Sequence, residues 1–91
     1  MDFSIGQLVE TRGINAQRQE DFEFSEFVFA SLKRHIDCDW GEVDKGDCDS
    51  NNKALINSGR ILSAYSFNGI KIWIITEADR SATTVLFPSE Y

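Results

Sequence analysis

Between residues 22 and 36 the apolar side chains recur at Phe24, Phe27, Val28, Leu32 and Ile36. Spacings of three and four place Phe24, Phe27, Val28 and Leu32 on one stripe, which predicts an amphipathic helix. Asp21, Glu23 and Glu26 lie near its start and Lys33, Arg34 and His35 near its end, the order that complements a helix dipole. Phe22 and Phe29 fall off the stripe, so one of them is expected to be a surface aromatic.

The last third changes period. Residues 60–67 and 70–76 flank Asn68-Gly69, the strongest short hairpin signal. A two-residue loop fixes the register, with Phe67 opposite Ile70, Tyr65 opposite Ile72 and Ser63 opposite Ile74. Ile61, Tyr65, Phe67, Ile70, Ile72 and Ile74 then share a core face. Ala64, Lys71, Trp73 and Ile75 share the other. Trp73 and Ile75 are large for a solvated face, so either a helix or a partner covers it. Residues 77–82 read as a polar turn and residues 83–87 as a third, β-branched strand that Pro88 ends. At the other end, residues 5–10 read as a short edge strand weakened by Gly6. Residues 11–13 read as a turn, and residues 14–19 as one or two helical turns.

Residues 37–52 are polar, with six acids against one lysine and a local charge of −5. They read as a loop anchored by Trp40. A further helix starts near Asp47 or Asp49, either of which can cap it. It runs through Ala54, Leu55 and Ile56 and ends at Ser58-Gly59, where Gly supplies the left-handed residue. The expected fold is α+β: a small antiparallel sheet of three to four strands packed by two or three helices, in one domain spanning residues 1–91.

Composition limits the function. Fifteen acids outweigh nine scattered basic residues, a net charge of −6. Duplex binding needs clustered Lys and Arg, so direct nucleic-acid binding is disfavoured and a protein partner with a basic surface is favoured. No apolar run approaches the ~20 residues of a membrane span, and the first residues lack the basic and apolar regions of a signal peptide. Cys38 and Cys48 are expected to be free thiols, and the compartment cytoplasmic.

Chemistry-bearing patterns are sparse. His35, Cys38 and Cys48 lack the paired short spacings of a zinc site. A calcium loop begun at Asp47 fails at its Gly and Glu positions. There is no G-x-S-x-G and no P-loop. Glu77 and Asp79 form a carboxylate pair, but a hairpin turn leaves such a pair solvated or matched by Arg80. No enzymatic activity, metal or cofactor is expected. Asp79 can cap its own turn. Arg80 either pairs internally with a carboxylate or anchors a partner. The acids Asp37, Asp39, Glu42, Asp44, Asp47 and Asp49 either solvate a loop or, together with Glu23 and Glu26, imitate the phosphates of a nucleic acid.

Gly59-Arg60-Ile61-Leu62-Ser63-Ala64-Tyr65, then Lys71-Ile72-Trp73-Ile74-Ile75-Thr76-Glu77-Ala78-Asp79-Arg80-Ser81-Ala82-Thr83-Thr84, and Glu90-Tyr91 after Pro88 resemble a family of small proteins carried by bacterial plasmids, phages and integrated elements. Trp40-Gly41 and residues 52–55 resemble it as well. The resemblance implies an accessory gene on mobile DNA and, by association, an inhibitor of the anti-CRISPR type. Such a protein would dock on a basic surface of a Cas effector or another defence nuclease. Asp37, Asp39, Glu42, Asp44, Asp47 and Asp49 would supply charge, with Trp73 and Arg80 as anchors. The alternative is an interaction or regulatory domain of the element with no defence target. Oligomeric state is left open.

Overall fold

Asn68 and Gly69 both take positive φ, 49° and 77°, and turn the chain tightly between two seven-residue strands. In the computed structural model, which describes residues 3–91, these strands are β2 (Ile61–Phe67) and β3 (Ile70–Thr76). Their register is the expected one: Phe67 faces Ile70, Tyr65 faces Ile72 and Ser63 faces Ile74. The other elements are β1 (Gln7–Glu10), α1 (Arg12–Glu20), α2 (Phe22–Ile36), α3 (Lys45–Asn57), β4 (Ala82–Leu86) and a closing 3₁₀ turn, Pro88–Glu90.

The sheet runs in the order β1-β4-β3-β2. The β2–β3 and β3–β4 pairs are antiparallel, as expected. β1 is an edge strand, as expected, but it lies parallel to β4, so the sheet is mixed. The path from β1 passes through all three helices before the chain reaches the sheet again, and such a crossover permits parallel pairing.

The helices differ from expectation at their ends. Thr11 does not begin a turn. Its hydroxyl accepts the Ile14 N–H and starts α1, which runs through Arg12 and Gly13. Glu90, from the opposite end of the chain, completes this start: one carboxylate oxygen accepts the Thr11 hydroxyl at 2.6 Å and the other the Gly13 N–H at 3.2 Å. An anion at a helix N-terminus is favourable. α3 starts earlier than expected, with Asp44 as its cap, accepting the Asp47 N–H at 2.7 Å. It ends on Ser58 rather than Gly59 in the left-handed conformation (φ 57°).

Phe24, Val28 and Leu32 of α2 are buried as their spacing demands, packed with Ile14, Tyr65, Ile72, Ile74 and Val85. Phe27 stacks on Phe67 with ring centres 5.3 Å apart. A second cluster gathers Trp40, Ala54 and Ile61, with Phe3, Cys38 and Cys48 against it. No disulfide joins Cys38 and Cys48. Trp40 is the anchor the polar segment was expected to need, 4% exposed with its indole N–H donated to Asn52.

The outer edge of β2 is closed by the chain itself. The Asn51 amide donates to the Leu62 carbonyl at 2.7 Å and its oxygen accepts the Leu62 N–H at 3.1 Å. Ala64 N–H donates to the Trp40 carbonyl, and the Ala64 carbonyl accepts Glu42 N–H. Gly41 is obligatory between them: its φ is +72°, and a Cβ would sit 2.0 Å from the Ala64 carbonyl oxygen.

Candidate docking surface

Five of the six acids of residues 37–52 are tied down at short range. Arg34 grips Asp39 with two donors, at 2.8 and 3.2 Å, and Gly41 N–H adds a third bond. These bonds, the Arg34 one foremost, hold the Asp39 carboxyl below the usual carboxylate range. Asp37 pairs with Lys33, Asp49 with Lys45 and Glu42 with Lys71, while Asp44 caps α3. Asp47 makes no ion pair among the described residues, and it sits in the first turn of α3, where the dipole favours an anion. Four cations therefore accompany six carboxylates, and the charge available to an outside surface is well below the formal value.

Trp73 and Arg80 are both engaged within the chain. Trp73 is half-buried and meets Tyr91 edge-on at 5.6 Å. Arg60 in turn lies over the Tyr91 ring and donates to its hydroxyl. Tyr91 of the C-terminal tail thus covers Trp73 on the second face of the sheet, and Ile75 on the same face is buried. Among the described residues Arg80 pairs with no carboxylate, and it does not stand free. Its guanidinium donates to the Gly59 carbonyl at 2.6 Å and the Ala54 carbonyl at 2.9 Å, closing the orphan carbonyls at the end of α3. Asp79 caps its turn as expected, accepting Ser81 N–H at 2.9 Å.

His35 and Ser63 lie in the contact a nucleophilic pair would need, Nδ1 to Oγ 2.5 Å. Both are fully buried, so no substrate reaches them. The chain of bonds continues from Nε2 to Thr76 (2.9 Å), to Thr83 (2.7 Å) and to the Ile5 carbonyl (2.7 Å). A carbonyl only accepts, so Thr83 donates to it, Thr76 donates to Thr83, and Nε2 carries the imidazole proton. Nδ1 then accepts from Ser63. Burial pushes the His35 pKa down to about 4. The network satisfies core polar groups.

Exposed apolar surface lies elsewhere. Phe22 and Phe29, two helical turns apart, are both on the solvent side of α2, at 75% and 54% exposure. Leu8 and Val9 of β1 are exposed too. Between β1 and α2 runs a groove of about 180 Å³ lined by Leu8, Val9, Val28, Phe29, Leu32 and Val85, with Arg18 and Glu10 at its rim. Arg18 lies over the Phe29 ring and forms a two-donor pair with Glu10 at 2.7 and 2.8 Å, which lowers the Glu10 pKa. On the other flank of α2, Glu23, Glu26, Phe27, Ala30 and Phe67 line a shallower depression. Glu20, Glu23 and Glu26 are exposed and form no ion pair among the described residues. The off-stripe phenylalanines were the sequence signal for this face. Leu8 and Val9 gave none, because a four-residue strand carries too little pattern to show which side is open.

Among the described residues no helix is long and apolar enough to cross a membrane. No protein-family model, curated protein or solved structure matches this chain.

Proposed function

We propose that this chain is a non-catalytic binding protein that docks on a basic surface of a protein partner, and that the partner belongs to a nucleic-acid-directed defence system, in the manner of anti-CRISPR inhibitors. The observation that carries the docking reading is the outer side of α2, where exposed Phe22 and Phe29 stand beside the carboxylates of Glu23 and Glu26, which form no ion pair among the described residues. Aromatic anchors ringed by charge are what a partner surface rewards. The choice of partner class comes from the resemblance to mobile-element proteins. The non-catalytic reading is supported by the position of the sole histidine, on the buried face of α2 with both ring nitrogens bonded.

The reading departs from phosphate mimicry by residues 37–52, because most of those carboxylates are held by cations or a helix start. The test is affinity capture of the tagged protein from cells carrying defence systems, at low and high salt, with mass spectrometry of the eluate. A defence nuclease recovered at low salt and lost with Glu23→Lys/Glu26→Lys, but retained with Asp47→Lys/Asp49→Lys, is the expected result. Loss with the second pair alone moves the interface to α3. Recovery of only element-encoded proteins replaces the inhibitor reading with the accessory-domain one.

A further inference from the structure

The two edges of the sheet are treated differently. On β2 the outward groups of Leu62 and Ala64 are bonded by Asn51, Trp40 and Glu42. On β1, Gln7 N–H and Thr11 N–H donate inward to Ser81 and Val85 of the neighbouring segment. Strand alternation therefore turns the N–H and C=O of Leu8 and Glu10 outward, and no backbone group among the described residues meets them. Edge strands are ordinarily blunted by shortness, charge, Pro or a bulge; the four-residue Gln7-Leu8-Val9-Glu10 carries no Lys or Pro, and its one charge, Glu10, is paired with Arg18. Along this same edge runs the apolar groove, with Leu8 47% and Phe29 54% exposed.

We infer that β1 accepts an extended segment of a protein partner as a fifth strand, with apolar side chains of that segment entering the groove beside Leu8 and Phe29 and its basic residues answering the net negative charge of the chain. The inference rests on the docking reading above and adds its geometry. Backbone groups of Leu8 and Glu10 supply the bonding, and alternate side chains of the incoming strand supply selectivity. Side chains on the helix side of such a strand point at Leu8, Phe29 and Leu32. Charge selects the occupant. The chain carries −6, and among the described residues Glu20, Glu23 and Glu26 form no ion pair, Glu23 and Glu26 lying on the far flank of α2 from the groove. A second copy brings another −6 and the same four-residue edge, whereas a segment alternating apolar and basic residues matches both the groove and the field.

The probes are two blocked ten-residue peptides, one alternating Lys and Val and one alternating Glu and Val, titrated into the ¹⁵N-labelled protein with amide hydrogen exchange as the readout. The Lys-Val peptide should bind roughly tenfold more tightly than the Glu-Val peptide. It should slow exchange at Leu8 and Glu10 roughly tenfold or more at saturation. Leu8→Lys, at an exposed position, should leave the thermal midpoint unchanged and weaken the Lys-Val peptide roughly tenfold. Binding that shifts Glu23 and Glu26 while Leu8 and Glu10 exchange as before overturns strand addition and leaves the docking reading standing. Absence of binding by the Lys-Val peptide overturns the inference, and the docking reading is then decided by affinity capture. Leu8 and Glu10 already protected in the free protein, increasingly so with concentration, assign the edge to a second copy and overturn it as well.

Discussion

Asn51 holds Leu62 by both of its backbone groups, donating to the carbonyl at 2.7 Å and accepting the N–H at 3.1 Å. One side chain thus substitutes for a missing neighbouring strand, and it is itself 3% exposed. Asn51→Ala leaves a strand-edge donor and acceptor facing a space where water has little access, at a cost of about 2 kcal/mol. The midpoint of thermal unfolding should fall by about 10 °C. Asn51→Asp loses the donor and places a carboxylate against the Leu62 carbonyl, so it should be no better. Calorimetry on both variants checks this.

The buried His35 makes stability depend on pH in a defined window. Folding lowers its pKa from 6.5 to about 4, so between these values the unfolded chain binds the extra proton. The contribution is complete above pH 6.5 and is lost as pH falls towards 4. Urea unfolding at pH 5 should give a stability about 2 kcal/mol below that at pH 8. The lowered carboxyls of Glu10, Asp39 and Glu90 act in the same direction but at more acidic pH, since their ordinary values are 4.5, 3.8 and 4.5. Long-range ¹H–¹⁵N spectra at pH 7 should show the proton on Nε2 of His35.

Arg80 should prove a stability residue. Removing its donors in Arg80→Ala uncovers the Ala54 and Gly59 carbonyls at the end of α3 and should cost about 2 kcal/mol by denaturant titration. Lysine cannot span both carbonyls with one planar group, so Arg80→Lys should recover only part of the loss. Arg80 also has φ 62°, so Arg80→Gly should be less damaging than Arg80→Ala despite having no side chain.

Phe22→Ser and Phe29→Ser should behave in the opposite way. Both rings are solvent-facing, so each change should alter unfolding free energy by less than about 1 kcal/mol. Phe29→Ser also removes the contact under Arg18, which sets the upper end of that range. Partner recovery in affinity capture should fall for either variant while the folded fraction stays constant.

The local signals in the chain were strong where both ends of an interaction lie close in sequence. Asn68-Gly69 determines its own turn, and through a period of two it determines which face every residue of β2 and β3 occupies. The α2 stripe works likewise at a period of 3.6. Signals failed where the partner comes from afar. Nothing near Thr11 announces that Glu90 will complete its helix start, so residues 11–13 looked like a turn. The parallel placement of β1 beside β4 depends on how three helices return the chain. Arg80 read as a carboxylate partner or a docking anchor because the carbonyls it meets belong to the end of α3. The polar run from Asp37 read as a loop as far as Asp47 or Asp49, yet Asp44 already starts the helix, and the lysines and arginine that pair with the run include residues outside it.

The closed β2 edge limits what any complex can become. A sheet able to grow in both directions propagates, since each added chain presents a fresh acceptor and the product has no natural length. With Asn51, Trp40 and Glu42 sealing one side, growth is possible in one direction only. Under strand addition at β1, one incoming strand would complete the sheet and this protein would take the terminal place in the complex. Such an edge acts as a stop, and the stoichiometry that goes with it is one to one.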